Sequence, residues 1–138
     1  MKLMDLAARD PESGLVRVII DTPRGSRNKY KFDEELGLFK LSRVLPAGMS
    51  FPFDFGSIPS TRAQDGDALD VLVLNEVPLV VGCLVLVHLI GVIRADQTEH
   101  RKTIHNEAHG RRLVITGHGG PRLAERMLSR ATSGRQAH

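Results

Sequence analysis

The chain of 138 residues contains no tryptophan, one tyrosine and one cysteine, and aromatic side chains make up only 4% of it. Each scarcity argues against a class of function. Cys83 can form no intramolecular disulfide, so a reducing compartment is expected. It sits in the apolar run Val80-Val81-Gly82-Cys83-Leu84-Val85, where packing rather than nucleophilic chemistry is the natural role. With Tyr30 as the sole tyrosine, the chain lacks the aromatic platform on which single-stranded nucleic acids stack. No apolar run approaches the roughly 18 residues of a membrane span, and Met1-Lys2-Leu3-Met4-Asp5-Leu6 carries an acid where a secretory leader would be apolar. A cytoplasmic, unprocessed protein with no membrane partner is expected. A P-loop, a G-x-S-x-G elbow and an H-E-x-x-H helix are all missing, which leaves nucleotide, acyl-transfer and zincin chemistry without support. His88, His105, His109, His118 and His138 share no metal-ligand spacing.

What is present is ordinary globular material. Hydrophobic residues at 41% and charged residues at 25% allow a folded core, and the length suits one domain over residues 1–138. Within it, 1–14 reads as a loosely held arm and 132–138 as a tail. Net charge is only +3, yet the pI is about 9.4. The basic residues crowd the last third, from Arg101 to Arg135, and a solvated basic face accounts for them better than a nucleic-acid groove.

Short β-branched runs dominate the first hundred residues. Leu15 to Asp21 reads as a strand, and Lys29-Tyr30-Lys31-Phe32 with Leu38-Phe39-Lys40-Leu41 reads as a hairpin turned by Asp33 to Gly37. A stretch from Pro46 to Pro59 is punctuated by glycine and proline, and strands follow at Val71 to Leu74, Cys83 to Val87 and Leu89 to Ile93. Strands this close, with no helix between them, favour a small antiparallel barrel over a βαβ sheet. Near the end Pro121 opens a helix with Leu123, Met127, Leu128 and Ala131 on one face.

Asp65-Gly66-Asp67-Ala68-Leu69-Asp70 stands directly before a strand. Three carboxylates so close repel one another unless a cation joins them, and an all-oxygen donor set suits Mg²⁺ or Mn²⁺. From spacing alone, an acidic solvated turn reads equally well. Lys29, Arg43 and Lys102 would matter if they met these carboxylates, since metal ions and cationic clamps together serve phosphoryl transfer.

The stretch Asp65 to Val73 resembles the D-G-D-P-x-D-V-L-V signature of soluble family I inorganic pyrophosphatases. The resemblance extends, in the family's order, to Gly25 to Lys31, Phe51 to Gly56 and Leu89 to Ile93. It implies a mainly β, α+β fold: a five-stranded OB-like barrel with flanking helices. It further implies that Asp65, Asp70 and Asp96 bind Mg²⁺, with Mn²⁺ as the alternative. Asp67 would be the general base on a metal-bound water, and Lys29, Arg43 and Lys102 would hold pyrophosphate or phosphate. Asp21 takes the place of a family Glu at the site's edge. A homo-oligomer is implied as well.

Departures from the pattern accompany the resemblance. Ala68 replaces a usual Pro, Phe55 stands where many members carry Tyr, and His100 aligns with a metal-binding Asp that Glu99 could replace. After His105 the family continues through a barrel segment, an acidic loop and a helix carrying a substrate-binding Tyr, whereas here Asn106 follows at once. An incomplete barrel with an open seam, or one that borrows an element from a neighbouring subunit, is expected, together with reduced turnover. The leading expectation is Mg²⁺-dependent hydrolysis of pyrophosphate. The alternatives are an impaired relative that binds metal or phosphate or serves assembly, and a basic barrel that binds single-stranded nucleic acid.

Overall fold

The computed structural model describes residues 2–62, 66–96 and 110–119. Seven strands account for most of them: β1 (Val16–Thr22), β2 (Asn28–Asp33), β3 (Leu38–Val44), β4 (Asp54–Ile58), β5 (Leu69–Leu74), β6 (Leu84–Asp96) and β7 (Gly110–Gly117). Five of these close a barrel in the order β1-β4-β5-β7-β6, while β2 and β3 form a separate two-stranded sheet. Neighbours are antiparallel except β5 and β7, which run parallel. This is an OB-like Greek-key barrel.

Alternation along the strands builds the core. Val16, Val18 and Ile20 of β1 meet Ile58 of β4, Val71 and Val73 of β5, and Val85 and Val87 of β6 in one buried cluster. Each such side chain contributes about 1.5–3 kcal/mol relative to exposure. Gly56 of β4 has no room for more than hydrogen: a Cβ there would lie 2.6 Å from both the Ile19 carbonyl oxygen and Val18 Cγ1. A larger residue would push β4 away from β1.

The open seam expected from the gap is not found. β7 occupies the place between β5 and β6, pairing Val71 with Val114 on one side and Val92 with Val114 on the other. The run Arg111 to Thr116 is β-branched enough to form a strand, and closure satisfies backbone groups that would otherwise be edges. The two strands expected at Cys83 to Val87 and Leu89 to Ile93 are one. β6 pairs with β1 over Leu84 to Val87 and with β7 from His88 onward, and a register shift between Leu89 and Gly91 leaves Ile90 as the extra residue of a bulge. β4 lies inside the glycine- and proline-punctuated stretch from Pro46 to Pro59, where no strand is expected from the sequence. The hairpin forms as expected.

Ser60 ties the N-terminal residues to the barrel, its hydroxyl donating to the Leu6 carbonyl at 2.8 Å and its backbone N–H to the Met4 carbonyl at 2.9 Å. At the opposite end Asp54, 1% exposed, clamps two loops. Its Oδ1 accepts the backbone N–H of Arg24 at 2.9 Å and that of Leu79 at 3.1 Å, while Oδ2 has no hydrogen-bond partner among the described residues. The Arg24 guanidinium donates to the carbonyls of Asn75 and Glu76. Among the described residues no helix is long and apolar enough to cross a membrane. The helix expected from Pro121 lies outside the described residues.

Candidate active site

Residues that alternate with the core positions face outward, and on three adjacent strands they are acidic or hydroxylic. Ser57 of β4 pairs with Asp70 of β5 and with Ile19 of β1, and Asp21 is the next outward residue along β1. The β1 ladder passes from Ile20, opposite Gly56, to Thr22, opposite Phe55. Asp21 is therefore the extra residue of a bulge, a device common beside active sites. The Ser57 hydroxyl donates to Asp21 Oδ2 at 2.6 Å.

The β2–β3 hairpin covers this face. Between hairpin and barrel lies a cavity of about 280 Å³ whose walls include Asp21, Lys29, Lys31, Phe55, Asp67 and Asp70. That volume falls near the small end of ligand pockets, about 300–1,000 Å³, and suits a small ion better than a nucleotide. Among the described residues, four carboxyl groups line it, Asp21, Glu34, Asp67 and Asp70, together with the ammonium groups of Lys29 and Lys31. The surplus of negative charge calls for a cation.

Asp21 records that surplus. Burial pushes its carboxyl up to about 6, with the Asp70 charge adding to the effect, while the Ser57 hydrogen bond, Lys29 and Lys31 pull it back. Lys31 Nζ stands 3.9 Å from Asp67 Oδ2, with both side chains more than half exposed. An exposed pair of this kind is worth roughly 0–1 kcal/mol and can rearrange around a ligand. Gly66 adopts φ +86, a conformation that turns the chain between Asp65 and Asp67 and that L side chains rarely take.

Of the residues singled out from the sequence, Asp21, Lys29, Phe55, Asp67 and Asp70 line this cavity. Arg43 is exposed and lies across the hairpin ladder from Lys29, next to the cavity but not among the residues that line it. Asp96 ends β6 opposite Gly110, and the strand registers put that end of β6 on the same side of the barrel as the start of β5. Asp65, Glu99, His100 and Lys102 lie outside the described residues, as does the side chain of Asp96. Among the described residues no three His, Cys, Asp or Glu side chains are grouped closely enough to hold a metal ion. The acidic donors around the cavity are oxygens only, a donor chemistry that suits a hard divalent cation. Sequence reasoning missed Lys31, Ser57 and Thr22. Lys31 was within reach, because a single strand residue, Tyr30, separates it from Lys29 and so sets both on one face.

A protein-family model described as inorganic pyrophosphatase matches residues 18–105. The chain belongs to the inorganic pyrophosphatase family. Among curated relatives, the inorganic pyrophosphatase of Thermus thermophilus is 47% identical over 91 residues, covering 66% of this chain and 52% of its own length. That of Synechocystis is 42% identical over 92 residues, covering 65% and 54%. The chain thus spans about half the length of the curated relatives it matches. The crystal structure of the Thermus thermophilus inorganic pyrophosphatase superposes with a TM-score of 0.72 at 39% identity, over 88% of this chain and 65% of that one. An inorganic pyrophosphatase from Coxiella burnetii gives 0.66 at 36% identity, over 81% and 61%. The Thermus thermophilus superposition takes in more of this chain than the sequence match does, 88% against 66%.

Proposed function

We propose that the chain hydrolyses inorganic pyrophosphate to two phosphates, using water activated at the carboxylate face. The observation that carries this reading is that Asp67 and Asp70 line one small cavity together with Lys29 and Lys31, in a barrel of the pyrophosphatase family. Hydrolysis needs the anion held, its charge neutralised and a proton taken from the attacking water. Lys29 and Lys31 are proposed to hold the phosphoryl oxygens, with Arg43 and Lys102 as the further cations that the family resemblance implies. Asp67, on the exposed rim, is proposed to accept the proton as the water oxygen bonds to phosphorus and the bridging P–O bond breaks. Asp65, Asp70 and Asp96 are the proposed Mg²⁺ ligands, with Mn²⁺ able to substitute. The bound metal would neutralise phosphoryl charge and lower the pKa of water.

Nucleic acid is disfavoured as substrate. Tyr30 is half-buried in the cavity wall, and its hydroxyl accepts from Asn28 Nδ2 at 3.1 Å, so it is not displayed for stacking. A cytoplasmic homo-oligomer is proposed on the family resemblance. The test is phosphate release from pyrophosphate with Mg²⁺ and with a chelator. Metal-dependent release is expected. Release at the uncatalysed rate under both conditions would overturn the reading and leave phosphate binding to be measured instead.

A further inference from the structure

The lysine pair belongs to the hairpin, and among the described residues the hairpin shares no ladder with the barrel. Something other than sheet pairing must set how far Lys29 and Lys31 stand from the carboxylates. Beside the exposed Lys31–Asp67 pair, one buried side chain of the barrel bonds directly to the hairpin backbone. Thr22, the last residue of β1, is 1% exposed, and its Oγ1 accepts the Tyr30 backbone N–H at 3.1 Å and lies 3.5 Å from the Tyr30 carbonyl oxygen. A hydroxyl can accept and donate at once, so it serves both backbone groups of the residue between the two lysines.

Two ladder irregularities frame this link. The bulge at Asp21 ends the regular pairing of β1 where Thr22 reaches β2, and the hairpin ladder slips by one residue between Lys29 and Tyr30. Residues on either side of Tyr30 point to the same face of β2, so fixing its backbone fixes the origin of both lysine side chains. We propose that Thr22 is a positioning residue: its hydroxyl, by holding Tyr30, sets Lys29 and Lys31 over the Asp21, Asp67 and Asp70 face and so sets affinity for pyrophosphate. The proposal rests on the functional reading above for its substrate, and on the Thr22–Tyr30 geometry for its mechanism.

Thr22→Val keeps the shape and removes the hydroxyl, while Thr22→Ser keeps the hydroxyl. Three readouts separate the possibilities: equilibrium binding of pyrophosphate by calorimetry, steady-state hydrolysis, and hydrogen exchange at the Tyr30 amide. Thr22→Val is expected to weaken pyrophosphate binding at least about tenfold and to speed Tyr30 exchange by a similar factor, because misplacement of order 1 Å costs about that or more. Thr22→Ser should stay within about threefold of the parent in both. Lys31→Met, at an exposed site, should weaken binding in the parent and cost much less in the Thr22→Val background, since coupled residues are not additive. Unchanged affinity in Thr22→Val overturns the proposal, and so does an equal loss in Thr22→Ser or full additivity with Lys31→Met. Turnover absent with parental affinity intact overturns the hydrolase reading alone. Absence of pyrophosphate binding by the parent overturns both.

Discussion

Asp21 makes the acidic face measurable as pH-dependent stability. Its carboxyl is buried to 9% exposure and pushed up to about 6 from an ordinary 3.8. Between those two values the folded chain keeps a proton that the unfolded chain has released. Stability therefore falls as pH rises through this window, the opposite sign to a salt-bridged carboxylate. A shift of roughly two units corresponds to about 3 kcal/mol at 1.36 kcal/mol per unit, and this is the upper limit of the cost of ionising Asp21 in place. Asp21→Asn keeps an oxygen for the Ser57 hydroxyl and cannot ionise. In chelator, the variant should match the parent near pH 4 and exceed it by about 1–3 kcal/mol at pH 7. For a chain of this size that is several degrees in Tm, and urea titrations from pH 4 to pH 8 would read the same difference as a free energy. A stability gap that stays flat across pH, or a parent that gains on the variant as pH rises, would refute the argument from burial and from Asp70.

Other perturbations test neighbouring links. Asp54→Ala would strand the buried N–H groups of Arg24 and Leu79, at about 1–3 kcal/mol each, whereas Asp54→Asn retains the acceptor and should stay within about 1 kcal/mol of the parent by chemical denaturation. Gly56→Ala forces a Cβ against the β1 backbone and should lower stability by about 1–3 kcal/mol or prevent soluble expression. Asp67→Asn should lower pyrophosphate turnover by about 10²–10⁴-fold while Mg²⁺ binding by calorimetry persists, because an amide cannot take the water's proton. Parental turnover in that variant would remove Asp67 as the base.

The parts of this protein legible in its sequence are those carried by local pattern. Alternation of Val16, Val18 and Ile20 marks β1, and of Val71 and Val73 marks β5, because a half-buried strand needs one apolar face. The hairpin was readable from two alternating runs around a turn, and the acidic turn before β5 from its composition and its resemblance to pyrophosphatases. β4 was hidden, because Asp54, Gly56 and Ser57 are there for a loop clamp, a close approach and a hydrogen bond, not for strand propensity.

Tertiary structure alone decided the rest. Closure of the barrel depends on β7 entering between β5 and β6, one contact parallel and the other antiparallel, and both are long-range pairings that no local period specifies. The meeting of Asp21, Ser57 and Asp70 depends on register across three strands, and Thr22 reaches Tyr30 because a bulge adds one residue to β1. Alternation says which face of a strand a residue occupies. Only pairing and register say which residues share that face with it, and so which charges must be neutralised together.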